Sequence, residues 1–187
     1  MRCFLALPLP PAICRGVTAL QERLRTACGG ADVRWARPET SHLTLQFLGN
    51  VDRERILGLI PELGAEVATH RIAEVALQGL GAFPSPRRAR VLWIGVTTGV
   101  GAVTHLADAL RRVTEPLGVA SESRPFTPHV TLGRVRAPER GANLTAAIAA
   151  CDASDVGAWR PDAVVLFESR LHPKGAVHEP LATLPLE

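Results

Sequence analysis

Apolar positions along the chain follow two periods, near two and near 3.6 residues, and their alternation is the first guide to the fold. Residues 2–7 (RCFLAL) form a short apolar run closed by Pro8 and read as a strand. From Pro10 to Cys28, the residues Ile13, Val17, Leu20 and Leu24 recur at helical spacing, and Gly29-Gly30 supplies the stop. Residues 33–36 and the alternating stretch 41–48 read as strands, the second ending at Gly49-Asn50. Asp52 is placed to cap a helix carrying Ile56, Leu59, Ile60 and Leu63, with a break expected at Pro61. Residues 71–80 alternate again, 81–90 (GAFPSPRRAR) read as a loop, and 91–96 as a strand. A helix is predicted from about 101 to 117 with Val103, Leu106, Leu110 and Val113 on one face. A strand over 129–136, an Ala-rich helix over 141–151 and closing strands over 163–170 and 176–186 complete the chain.

No Gly-rich nucleotide fingerprint follows any strand, and several neighbouring strands are joined by short turns. The pattern predicts an α+β fold with mainly antiparallel sheets rather than a doubly wound parallel sheet. The length of 187 residues and the 47% apolar content suit one well-packed domain or two small intertwined lobes. The N-terminal apolar stretch is cut by Pro8, Pro10 and Pro11, too early for a signal segment or a membrane span, so a first strand is the better reading. Cys3, Cys14, Cys28 and Cys151 have no C-x-x-C spacing and read as ordinary thiols of a reduced, cytoplasmic chain. The net charge of +3 favours anionic substrates without implying a surface that coats nucleic acid.

One internal repeat changes the picture. SHLTLQF at 41–47 and PHVTLGR at 128–134 share His, an apolar residue, Thr and Leu. Average residue usage makes two such matches among six histidines a chance of roughly one in ten thousand. On a strand, His42 and Thr44 project to one side, as do His129 and Thr131, while Leu43 and Val130 point to the other. If two similar lobes meet across a pseudo-two-fold axis, the two pairs converge on one cleft.

Two imidazoles across a cleft suit phosphodiester cleavage, one accepting a proton from water and the other donating to the departing oxygen. The threonine hydroxyls suit the non-bridging phosphate oxygens. Arg134 follows His129 by five residues and suits a bidentate phosphate clamp, and Phe47 follows His42 by the same spacing and suits stacking on a nucleobase. Ideal alternation puts both on the wrong face, so each requires a bulge or a strand end, and a core position for Phe47 is an equal alternative. A metal site is the sharper rival, but no H-x-H or H-E-x-x-H occurs and Thr is a poor zinc ligand, so no cofactor is expected. His70, His105, His172 and His178 read as surface or helix histidines, the run 86–90 as a solvated loop, and Trp35 and Trp93 as core.

At these residues the sequence resembles the two-histidine (2H) phosphoesterases, and among them the bacterial and archaeal RNA 2′,3′-cyclic phosphodiesterases, long known as 2′-5′ RNA ligases. The likeness runs through RCFLALPLP, VRWARPETSHLTLQFLG, GLGAFPSPRRARVLWIGV, ESRPFTPHVTLGRVR and SRLHPKGAVHEPL. It implies a single domain over 1–187, made of two intertwined pseudo-symmetric lobes, each with an antiparallel sheet and outer helices around a central cleft. It also implies metal-independent hydrolysis of a 2′,3′-cyclic phosphate to a 2′-phosphate. His42 and His129 would be catalytic, with His42 protonating the leaving O3′ and His129 activating water; Thr44, Thr131 and Arg134 would bind phosphate. The partners expected are RNA with cyclic phosphate ends or cyclic nucleotides, without a membrane, and the chain is expected to be a monomer. Joining of tRNA halves through a 2′-5′ bond, or RNA-end binding without turnover, are the alternatives. Gln46 stands where the family often has a basic residue. His178 takes the place of a common aromatic and reads as structural.

Overall fold

The computed structural model describes residues 1–119, 125–136, 144–151, 153, 156–172 and 175–187, without the side chains of 171, 172 and 175. Lys174, the side chain of His172 and the start of the helix expected at 141–151 lie outside the described residues.

Strand β1 (Arg2–Pro8) is buried from Cys3 through Leu7, as its unbroken apolar run requires. Pro8 and Pro10 end it and Pro11 opens helix α1 (Pro11–Ala27), where a missing N–H costs nothing. β2 (Val33–Trp35) and β3 (His42–Asn50) follow. Asp52 caps α2 (Arg53–Gly58), its carboxylate accepting the Arg55 N–H at 3.0 Å. The break predicted at Pro61 falls at Leu59, because Pro61 is tolerated in the first turn of α3 (Ile60–Val67). β4 (Val75–Phe83), β5 (Val91–Thr98), α4 (Val100–Thr114), β6 (His129–Val135), α5 (Thr145–Ala150), β7 (Ala158–Trp159), β8 (Ala163–His172) and β9 (Gly175–Pro185) complete the order.

The largest departure from the sequence reading is at β4. β4 starts later and runs on through Phe83, so Gly81 is a strand residue and not the opening of a loop. The reason is a close approach: a Cβ at Gly81 would lie 2.1 Å from the Trp93 ring, which crosses β4 at that point. The two-residue strand β7 carries no periodic signal and has none to carry.

All pairings among the described strands are antiparallel, in the order β7-β4-β5-β6-β3-β1-β8-β9, with β2 also on β6. The order is its own mirror about the β6/β3 seam. β1-α1-β3 corresponds to β5-α4-β6, and β8 and β9 match β4 and β7. β3 meets β6 at one bridge, Leu43 opposite Val130, and β2 adds a three-residue ladder on β6. Because β8 and β9 come from the C-terminal end of the chain yet complete the N-terminal half, the lobes are intertwined.

Leu43, Leu45, Val130, Leu132, Leu92 and Ile94 share one buried apolar cluster with Val17, Leu20 and Leu24 of α1 and Val103, Leu106 and Leu110 of α4. Burying a Leu or Val side chain fully contributes about 1.5–3 kcal/mol, so this layer fixes which way each seam strand faces. Among the described residues no helix is long and apolar enough to cross a membrane.

Candidate active site

His42 is the first residue of β3 and His129 the first of β6, so the repeat begins both strands that meet at the seam. Leu43 and Val130, fully buried, face each other across the bridge. By strand alternation His42, Thr44, His129 and Thr131 must then emerge together on the opposite face. His42 and His129 flank the bridge diagonally, a relation that in antiparallel pairs puts side chains roughly 7–8 Å apart. One phosphate fits between imidazoles at that spacing.

Both rings are held the same way. His42 Nδ1 lies 3.0 Å from the Thr40 carbonyl oxygen and His129 Nδ1 2.7 Å from that of Thr127. A carbonyl only accepts, so Nδ1 carries the hydrogen in each ring and the lone pair of the neutral form sits on Nε2. The repeat is therefore longer than His, Thr and Leu: Thr-x-His-x-Thr-Leu runs from Thr40 to Leu45 and from Thr127 to Leu132. The upstream threonine supplies the carbonyl that sets the tautomer, a signal present in the sequence whose meaning depends on the backbone geometry.

A cavity of about 910 Å³ opens on this face, lined by Thr44, Phe47, His129, Thr131 and Arg134 together with Gln46, Phe83, Phe126, Arg111 and Arg112. His42 is not part of that lining; it is half-buried beside it.

Bulges resolve the position of the two residues at i+5. Between β1 and β3 the register jumps so that Ala6 opposes Thr44 while Leu5 opposes Gln46, leaving Leu45 as the extra residue. Leu45 stays inward and the count of faces resets after it, so Phe47 turns outward and is 50% exposed instead of in the core. Between β5 and β6 the jump from Trp93–Thr131 to Leu92–Gly133 leaves Leu132 as the extra residue. Arg134 is thereby exposed and lines the cavity, while Gly133 and Val135 are buried. The carbonyl of bulged Leu132 accepts from the buried Gln21 side chain at 2.8 Å and from the Ala36 N–H at 2.9 Å. Gln21 thus satisfies the backbone group that a bulge frees, at a helix position where an apolar residue is the norm.

Neither histidine stands alone. His42 stacks on Phe4 at 4.7 Å between ring centroids, with Phe167 at 6.1 Å and His178 edge-on at 5.4 Å. His129 meets Phe83 at 5.1 Å and Trp93 at 6.0 Å. These collar residues come from β1, β4, β5, β8 and β9 and carry no sequence signal of a site; Trp93 and His178, which read as core and structural, belong to it. Burial in its collar pushes the His42 imidazole down to about 4, against the Thr40 carbonyl, which favours the charged form; His178 adds to the lowering. At neutral pH His42 is therefore neutral. Gln46, the departure noted in the sequence, donates from Nε2 to the buried Thr114 Oγ1 at 2.8 Å and is clamped to α4. His70 and His105 pack against each other at 5.3 Å, with His70 Nε2 3.1 Å from the Glu66 carboxylate. They take no part in the cavity lining.

Similarity to known proteins agrees with this geometry. The chain is 32% identical over 181 residues to the RNA 2′,3′-cyclic phosphodiesterase of Archaeoglobus fulgidus, covering 97% of this chain and 98% of that one. It is 30% identical over 178 residues to the enzyme of the same name from Methanothermobacter thermautotrophicus, covering 95% of each. A crystal structure of a Thermus thermophilus protein superposes with a TM-score of 0.79 at 28% identity, covering 100% of this chain and 98% of that one. Escherichia coli LigT in its apo form superposes equally well, with a TM-score of 0.79 at 24% identity over 99% and 96% of the two chains. The profile of LigT-like phosphoesterases matches twice, over residues 7–93 and 94–178, so each match takes in one Thr-x-His-x-Thr strand, and the chain belongs to that family.

Proposed function

We propose that this protein hydrolyses 2′,3′-cyclic phosphate ends of RNA to 2′-phosphates, with His42 and His129 as its acid and base. The observation that carries this reading is the pair of Thr-x-His-x-Thr strands joined at one bridge, with both histidines on one face and both locked as the Nδ1–H tautomer. The names of the relatives support the substrate class.

Water attacks phosphorus in line with O3′. One imidazole takes a proton from that water as the new P–O bond forms; the other gives a proton to O3′ as the P–O3′ bond breaks. The products are a 2′-phosphomonoester and a 3′-hydroxyl, and exchange with solvent restores the two rings. Thr44, Thr131 and Arg134 donate to the non-bridging oxygens, and Phe47 offers a stacking surface for the base. The test is mass analysis of products from an oligonucleotide ending in a 2′,3′-cyclic phosphate, with and without EDTA. A 2′-phosphate end formed at an unchanged rate is expected. A 3′-phosphate end, joined 2′-5′ products alone, or activity lost to EDTA and restored by zinc would each overturn it.

The acid role that the family resemblance gives to His42 requires an imidazolium, yet the unliganded protein holds this ring neutral. An anionic phosphate brought into the same apolar collar favours the cation and is the physical route to that role. Binding should therefore take up a proton. In the His129→Ala variant, calorimetry of 2′,3′-cyclic CMP at pH 7 in two buffers of different ionisation heat is expected to show that uptake. Its absence would make His42 the base and His129 the acid.

A further inference from the structure

Among the described residues the two halves of the site surround their histidines with different rings. The collar of His129 is a phenyl and an indole ring, Phe83 and Trp93. The collar of His42 contains two phenyl rings and a third imidazole, His178, on β9. His178 lies edge-on to His42 at 5.4 Å and edge-on to Phe4 at 4.9 Å, so both imidazoles pack on one phenyl ring. Among the described residues its buried Nδ1 finds no hydrogen-bond partner, an arrangement that an aromatic hydrocarbon ring at this position would avoid at no loss of packing.

We propose that His178 is a positioning residue for His42, fixing the ring against Phe4 and, through its own charge state, deciding how readily the pair accepts a proton. This rests on the reading of His42 as a catalytic group. The groups around His178 are few. Burial disfavours its charged form, and Arg2 on β1 adds to this. On β8, Glu168 and Arg170 pair at 3.0 Å, and Glu179 on β9 pairs with the same Arg170 at 3.1 Å. Both carboxylates are thus engaged by Arg170, Arg53 and the N-terminal ammonium also act on Glu168, and the imidazole packed edge-on against His178 is His42. Two imidazoles at this distance titrate as a coupled pair: a proton on one opposes a proton on the other.

The experiment is NMR titration of the His42 Cε1–H resonance in the wild type and in His178→Phe and His178→Gln, neither of which requires turnover. In both variants the His42 midpoint should move to higher pH, and the alkaline limb of kcat/KM for 2′,3′-cyclic CMP should move with it. A role confined to packing would lower kcat at every pH and leave the midpoint where it was. Coincident His42 midpoints in the wild type and whichever variant folds would overturn the proposal. Catalytic failure with a shifted midpoint would count against the phosphodiesterase reading and leave the coupling standing.

Discussion

Alanine at His42 or at His129 is expected to reduce kcat for a 2′,3′-cyclic phosphate end by about 10²–10⁴-fold each. The reason lies in the seam. Each imidazole is locked by a carbonyl two residues upstream, His129 in the lining of the cavity and His42 beside it on the adjacent strand. Because attack and departure are halves of one displacement, the double variant should lose little more than either single one. Steady-state kinetics on the three variants, with circular dichroism melts alongside, separates loss of chemistry from loss of fold. His129→Ala leaves the apolar layer beneath it untouched, since Val130 and Leu132 fill that side. His42→Ala removes a ring stacked on Phe4 and should lower the melting temperature somewhat more. Either variant retaining wild-type turnover while folded would remove its histidine from the mechanism.

Much of this site was legible in the sequence, for a physical reason. The duplicated His-x-Thr uses strand alternation, a local rule, so the shared direction of histidine and threonine follows from the residues alone. The pairing of the two strands does not. It depends on Leu43 meeting Val130 across 87 positions of chain, which only packing decides. The positions of Phe47 and Arg134 failed simple alternation because bulges reset the count, and a bulge leaves almost no mark in hydrophobic pattern. Its compensation did leave a mark: Gln21 interrupts the apolar face of α1, an anomaly that has a cause only once the freed Leu132 carbonyl is seen. The collars were hidden for a different reason. Phe4, Phe83, Trp93, Phe167 and His178 lie on strands distant in sequence; Trp93 reads as core, His178 as structural, and Phe83 falls in a stretch that reads as a loop.

The duplication also explains how one motif serves two roles. An acid and a base act in opposite protonation states, and the two copies of the strand sit in different surroundings. Around His42, β1, β8 and β9 supply two phenyl rings and an imidazole that disfavour charge; around His129, β4 and β5 supply a phenyl ring and an indole. The chain thus copies the histidine strand and varies the collar.

Replacing Arg134 by alanine is the second large effect expected, a fall of about 10²–10³-fold in kcat, the range found for losing one donor to a developing oxyanion. The guanidinium reaches the cavity because the register jump at Leu132 turns it outward, on the strand that carries His129 and Thr131. It is thereby placed to meet the phosphate from the same side as those two groups. Negative charge on the non-bridging oxygens grows as water adds to phosphorus, so a fixed cation there favours the transition state over the bound substrate, and kcat should fall more than KM rises. Arg134→Lys keeps the charge but loses the two-pronged geometry and should recover only part of the rate. Gln21→Leu provides the structural control. It leaves Arg134 in place but removes the hydrogen bond that secures the bulge, so it should cost both stability and a fraction of the rate. If Arg134→Ala changed KM alone, the arginine would hold substrate without acting on the transition state. If it changed neither, the bulge would serve the fold and not the chemistry.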